Sequence, residues 1–122
     1  MEVLAYIAAA TVALWGVSHV MPTRQVVTGF GPITRDNRRV LAQEWLAEAF
    51  TMWGIAALIV AVTAGEGNAI MRDRVYQVLA GLLIALAALT AMTGARTPVI
   101  WFKICPVLLS GSAALLLIAS AV

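Results

Sequence analysis

Residues 38–65 read RRVLAQEWLAEAFTMWGIAALIVAVTAG. The stretch is apolar over more than the roughly 20 residues a helix needs to cross the hydrocarbon core of a bilayer. Two acids, Glu44 and Glu48, stand inside it. A carboxylate at membrane depth costs several kcal/mol, order of magnitude, unless it is partnered, protonated or wetted. The apolar run decides the fold, and the two acids decide where function is sought.

The whole chain agrees with the membrane reading. Of its 122 residues, 62% are hydrophobic and only 11% charged. Soluble domains are about 45–50% apolar and about 25% charged, and a soluble fold of this size could not hide the difference. A net charge of +2 is too small to argue for nucleic acid as a partner. Cys105 is the only cysteine and His19 the only histidine. An intrachain disulfide is therefore excluded, and no zinc or iron–sulfur site can be assembled; no metal and no cofactor are expected.

Four apolar segments follow one another at about 3–21, 37–64, 73–94 and 98–121. They predict an all-α integral membrane four-helix bundle, with residues 1–122 as a single transmembrane domain. The first segment carries Glu2 in place of a basic n-region, so it reads as a retained span, not a cleaved signal. Pro98 suits the first turn of the last helix. Residues 23–36 form the one longer loop. Gly29, Gly31 and Pro32 oppose a regular helix there, and Val26, Val27, Phe30 and Ile33 place it on the membrane interface or folded partly back into the membrane. Thr34 or Asp36 can cap the helix that follows. In the third segment, Ala80, Gly81, Ala85, Ala87 and Ala88 permit close helix approach, within the bundle or at an oligomer seam.

Lysine and arginine counts near the span ends set orientation. One side holds Arg24, Arg35, Arg38, Arg39, Arg96 and Lys103, and the other Arg72 and Arg74. The first side is expected to be cytoplasmic, with both termini outside.

On a helix starting near Asn37, that residue, Glu44, Glu48 and Thr51 fall within about 60° of one another. Glu44 and Glu48 are i,i+4 neighbours that would repel if both were ionised. His19, near the end of the first span, and Lys103, near the start of the last, approach from the same membrane side. Trp15 shares the His19 face, Trp45 flanks Glu44, and Trp101 lies near Lys103. Together they predict a polar pocket. Glu44, Glu48 and His19 would bind protons or act as catalytic groups. Asn37, Trp15, Trp45, Trp101, Lys103 and Thr51 would contact a ligand. Each part also has a plainer reading. His19 would satisfy a structural hydrogen bond, the tryptophans would form an interface belt, and a Glu–His or Glu–Lys pair would staple the bundle. Arg24, Arg35, Arg38, Arg39 and Arg96 read as a positive-inside anchor holding anionic lipid, or more sharply as an anion site.

The block SHVMPTRQVVTGFG, with DNRRVLAQEWLAEAF after it, resembles a group of small four-helix bacterial integral membrane proteins over roughly residues 18–50. The resemblance implies four spans and a bacterial inner membrane, and it brings no activity or site. Small multidrug-resistance transporters also have four spans, but their membrane glutamate lies in the first span, where this chain has only Glu2 and His19 as ionisable groups near its ends. The Gly-rich and Thr/Ser-Phe patterns of fluoride channels are missing as well.

Three functions fit these residues. The first is binding or transport of a small cationic or lipid-like molecule, coupled to protons and carried out by a homo-oligomer among membrane lipids. The second is an enzyme doing acid/base chemistry on a lipophilic substrate by isomerisation, cyclisation or epoxide opening. The third is an accessory or structural subunit.

Overall fold

The computed structural model describes residues 2–122. Among them every regular element is helical and there is no strand: α1 (Glu2–Val20), α2 (Thr23–Gly29), α3 (Arg35–Ala64), α4 (Ala69–Met92), a 3-10 turn (Gly94–Arg96) and α5 (Ile100–Ala121). α1, α3, α4 with its adjoining turn, and α5 are each long and apolar enough to cross a membrane. The chain is a multi-pass helical membrane protein built as a four-helix bundle.

Local chemistry sets the ends of these helices. Thr34 is extended and its side chain accepts from the Asn37 backbone N–H, so α3 starts from a Thr cap with Asp36 in its first turn. Both features suit the positive end of a helix dipole. Asn68 caps α4 by accepting from the Ile70 N–H. Two boundaries differ from expectation. Residues 23–29, expected to be loop, make the short helix α2, because the helix-breaking residues lie only at its end. Gly31 then takes φ +74°, a turn that a residue without Cβ makes at no steric cost. The last helix begins at Ile100 behind a Val99 cap, so Pro98 precedes the helix and does not sit in its first turn.

Neighbouring helices pack in the order α3, α1, α5, α4, and α3 meets α4 only sparsely. The interior between the two ends is filled mainly by apolar side chains, with the Ser112 hydroxyl buried among them. Val12, Met52, Ile59, Leu83, Leu109 and Leu116 are all fully buried there. Of the small residues in α4, Ala80 and Ala87 are buried, whereas Gly81, Ala85 and Ala88 lie on the outside.

The register of α1 against α3 positions the site. The Trp45 side chain bonds the His19 carbonyl and Trp53 bonds the Ala13 carbonyl. Val20, the last residue of α1, is therefore about level with Glu44. α1 has 19 residues and at 1.5 Å per residue spans about 28 Å, close to one hydrocarbon core. α3 has 30 residues and reaches about 45 Å. Its first nine residues, 35–43, therefore project roughly 14 Å past the end of α1. α2 packs against α3, with Val27 buried.

Candidate functional site

At the end where α1 stops, His19 and Trp45 clasp the two helices together. The Trp45 indole N–H donates to the His19 carbonyl at 2.8 Å. That carbonyl lies in the last turn of α1, where carbonyls lack intrahelical partners. In return His19 Nε2 lies 3.1 Å from the Trp45 carbonyl. The two rings stack, with centroids 3.9 Å apart and planes 16° from parallel. Phe102 of α5 meets Trp45 edge-on at 6.1 Å.

Glu48 completes the group. Its Oε2 is 3.4 Å from the same His19 Nε2. A carbonyl and a carboxylate can only accept, so Nε2 carries a proton and shares it between them. The His19 side chain is 8% exposed and that of Glu48 34%. Glu48 forms no other ion pair and no side-chain hydrogen bond among the described residues. The arrangement is thus a buried imidazole, doubly engaged at one nitrogen, beside a carboxylate with spare acceptor capacity.

The other residues named from the sequence do not join this group. Glu44, expected in the same pocket, is exposed, and its one hydrogen bond is from the adjacent Gln43 side chain at 3.4 Å. The reason is register: α1 ends at the level of Glu44, leaving no α1 side chain above His19 for it to meet. Lys103, expected to partner the acids, turns away and donates from Nζ to the Ala95 carbonyl at 2.8 Å. It thereby satisfies the 3-10 turn between α4 and α5. Thr51 is exposed and donates back to the Ala47 carbonyl. Asn37 is exposed, and its backbone N–H serves the Thr34 cap. Trp101 is exposed on the first turn of α5. Trp15 points instead to Cys105, its indole N–H 3.2 Å from Sγ. Of the residues proposed as site, His19, Glu48 and Trp45 come together.

Several contacts were not read from the sequence. Gly16 lets Trp53 lie against α1: a Cβ there would stand 2.6 Å from the indole Nε1. Cys105 is not only a small core residue but also the acceptor for Trp15. The opposite end of the bundle holds a buried Thr63–Tyr76 hydrogen bond of 2.6 Å between α3 and α4. Arg72 there lies 3.3 Å from Asp73 and 4.0 Å from Glu2. Two open hollows exist. One of about 440 Å³ lies beside Arg72 and Tyr76. The other, an apolar groove of about 660 Å³ between α1 and α3, is lined by Tyr6, Trp53 and alanines. Neither is lined by His19 or Glu48. Among the described residues no group of His, Cys, Asp and Glu could hold a metal ion.

The clasp has a measurable weight. An interhelical hydrogen bond in a membrane is worth about 0.6–1 kcal/mol, and an aromatic stack about 0.5–1.5 kcal/mol. Trp45→Leu removes both and should destabilise the protein by roughly 1–2 kcal/mol in detergent. Trp101→Leu, at an exposed ring without a partner, should be near neutral. Thermal unfolding of both variants checks the contrast, and equal losses would contradict the clasp.

The fold and the site define a multi-pass helical membrane protein with a His–Glu–Trp group at one end of its bundle. No family model, curated protein or solved structure matches the chain, so the functional argument rests on this geometry.

Proposed function

We propose that the protein resides in a bacterial inner membrane and binds a small cationic or lipid-like molecule at the His19–Glu48 end, exchanging a proton as it does so. The observation carrying this reading is Glu48 itself. It is a partly exposed carboxylate one turn below the end of α1, held by a single histidine contact, in a chain whose interior is mostly apolar. Such a group attracts a cation, and the second ring nitrogen of its neighbour His19, Nδ1, offers a proton store. Glu44, one turn higher and unpaired by any base among the described residues, would draw the cation towards the site. A single bundle closed at mid-depth suits binding better than passage. Transport therefore calls for a homo-oligomer, for which the exposed Gly81, Ala85 and Ala88 face of α4 is the candidate seam.

The enzyme reading draws less support, because the His19 nitrogen facing Glu48 is already a donor and is not free to accept a proton there. The accessory-subunit reading is favoured by one observation, the His19–Trp45 clasp, which would staple α1 to α3 whether or not Glu48 binds anything.

The binding reading is tested with tetraphenylphosphonium as the probe cation, titrated against the purified protein and followed by tryptophan emission. Saturable quenching is expected. A purely linear response, with dodecylamine behaving the same way, would rule the reading out.

Orientation belongs to the same proposal. Six basic residues and three acids lie at the His19 end, against two basic residues and three acids at the other. The positive-inside bias then puts the His19 end in the cytoplasm and both termini outside. In a Cys105→Ala background, Thr28→Cys should react with an impermeant maleimide only after cells are opened, whereas Gly67→Cys should react in intact cells. The reverse pattern would invert the topology.

A further inference from the structure

We propose that the projecting start of α3, together with α2, is a seat for acidic phospholipid headgroups of the membrane the protein spans. This goes beyond the His19–Glu48 reading and does not depend on it.

Three observations meet at this surface. The first is geometry. Residues 35–43 stand past the end of α1, which already spans about one hydrocarbon core. The headgroup layer is about 5–7 Å deep on each side. Arg39 and Arg38 lie roughly 7–9 Å along the helix axis above Glu44, so their side chains reach the depth of lipid phosphates.

The second is charge. Arg24, Arg35 and Arg38 are exposed and form no ion pair among the described residues. Arg39 meets only Asp36, at 3.7 Å, with both side chains largely in the open. Such a pair is weak and leaves the guanidinium able to exchange partners. Arg96, at the turn between α4 and α5, is likewise exposed and unpaired among the described residues. The opposite end differs: there Arg72 is held by Asp73 and Glu2, and Arg74 by Gln77. Cations without an ion pair are therefore concentrated at one end, with Arg74, bonded only to the neutral Gln77, alone at the other.

The third is the apolar company these cations keep. Met21 is 80% exposed and Phe30 58%, at either end of α2, and Val40 is exposed on α3. Bulky apolar side chains interleaved with arginines suit the boundary between acyl chains and headgroups, where the rings and thioether are buried and the guanidinium groups stay with phosphate. An acidic soluble partner would use the charge and leave these residues in water. That decides for lipid.

The test is the melting temperature of the protein in dodecylmaltoside, followed by tryptophan emission, on adding dioleoylphosphatidylglycerol, dioleoylphosphatidylcholine or glycerol 1-phosphate. Phosphatidylglycerol should raise the midpoint by several degrees, and the other two should not. The half-effective concentration of phosphatidylglycerol should rise about tenfold or more in the variant carrying R24Q, R35Q, R38Q and R39Q. It should also rise in wild type at about 0.5 M NaCl, where charge interactions are screened. The variant carrying R72Q and R74Q should respond like wild type. Should the fourfold variant fail to fold, R38Q with R39Q and the salt series carry the same comparison. Equal responses of the two arginine variants would overturn the proposal, as would an effect of glycerol 1-phosphate matching the lipid, or no effect of phosphatidylglycerol on wild type. Tetraphenylphosphonium binding that survives in the fourfold variant would leave the His19–Glu48 reading standing whatever the lipid result.

Discussion

Gly16→Ala is expected to destabilise the protein by roughly 1–3 kcal/mol, the usual cost of forcing extra carbon into a close-packed site. The added Cβ would stand 2.6 Å from Trp53 Nε1, 2.9 Å from its Cδ1 and 3.4 Å from the Ala49 carbonyl oxygen. The indole cannot simply swing aside. Its N–H is committed to the Ala13 carbonyl at 3.2 Å, and its ring leans on Phe50 at 5.7 Å. Relief requires α1 and α3 to part, which loosens the seam that also carries His19 and Trp45. The attribution is tested by a double-mutant cycle. In a Trp53→Leu background, where the rigid ring is gone, Gly16→Ala should cost little or even stabilise, since alanine is the better helix former. A Gly16→Ala penalty unchanged in that background would place the clash elsewhere. Gly54 and Gly111 have open space where a Cβ would go, so the same change there should be mild.

How far the sequence disclosed this molecule depends on the distance over which each signal acts. The four membrane helices were legible because length and apolarity are local properties, as was the Thr34 cap, set by a residue's own neighbours. The meeting of His19 and Glu48 was legible for a related reason: both lie a similar distance from the same membrane side, on faces that helical periodicity defines. Glu44 shows where this stops. Its stripe follows from helical periodicity, but its level in the bundle depends on where α1 ends. The offset between two helices is a tertiary quantity, fixed here by the Trp45 and Trp53 hydrogen bonds, and no single-helix count contains it. Lys103 failed similarly. Its long side chain had a nearer carbonyl at Ala95, visible only once the chain turns between α4 and α5. Gly16 gave no signal of its own, because its importance comes entirely from the indole packed against it. α2 is not legible from composition, because Gly29, Gly31 and Pro32 end this helix without interrupting it.

The second large effect concerns Glu48. Glu48→Gln keeps the size and the hydrogen-bonding oxygen of the side chain and removes its charge. A carboxylate that binds a cation cannot be replaced by an amide, so tetraphenylphosphonium affinity should fall at least about tenfold, the equivalent of about 1.4 kcal/mol. Stability should change little, since the amide can still accept from His19 Nε2. Glu44→Gln, at an exposed position without a histidine partner, should weaken binding less. A staple predicts the opposite ordering: Glu48→Gln would then lower the unfolding temperature and leave binding untouched.

One measurement separates these accounts most directly. In weakly buffered detergent solution, the pH is followed as tetraphenylphosphonium is added to wild type and to Glu48→Gln. If the cation takes the place of the charge on a protonated His19, which gives up the proton on Nδ1 and keeps the one on Nε2, wild type should release protons in step with saturable binding, and Glu48→Gln should release none. Saturable binding without proton release, or the same release from both proteins, would contradict a proton-exchanging site at His19 and Glu48.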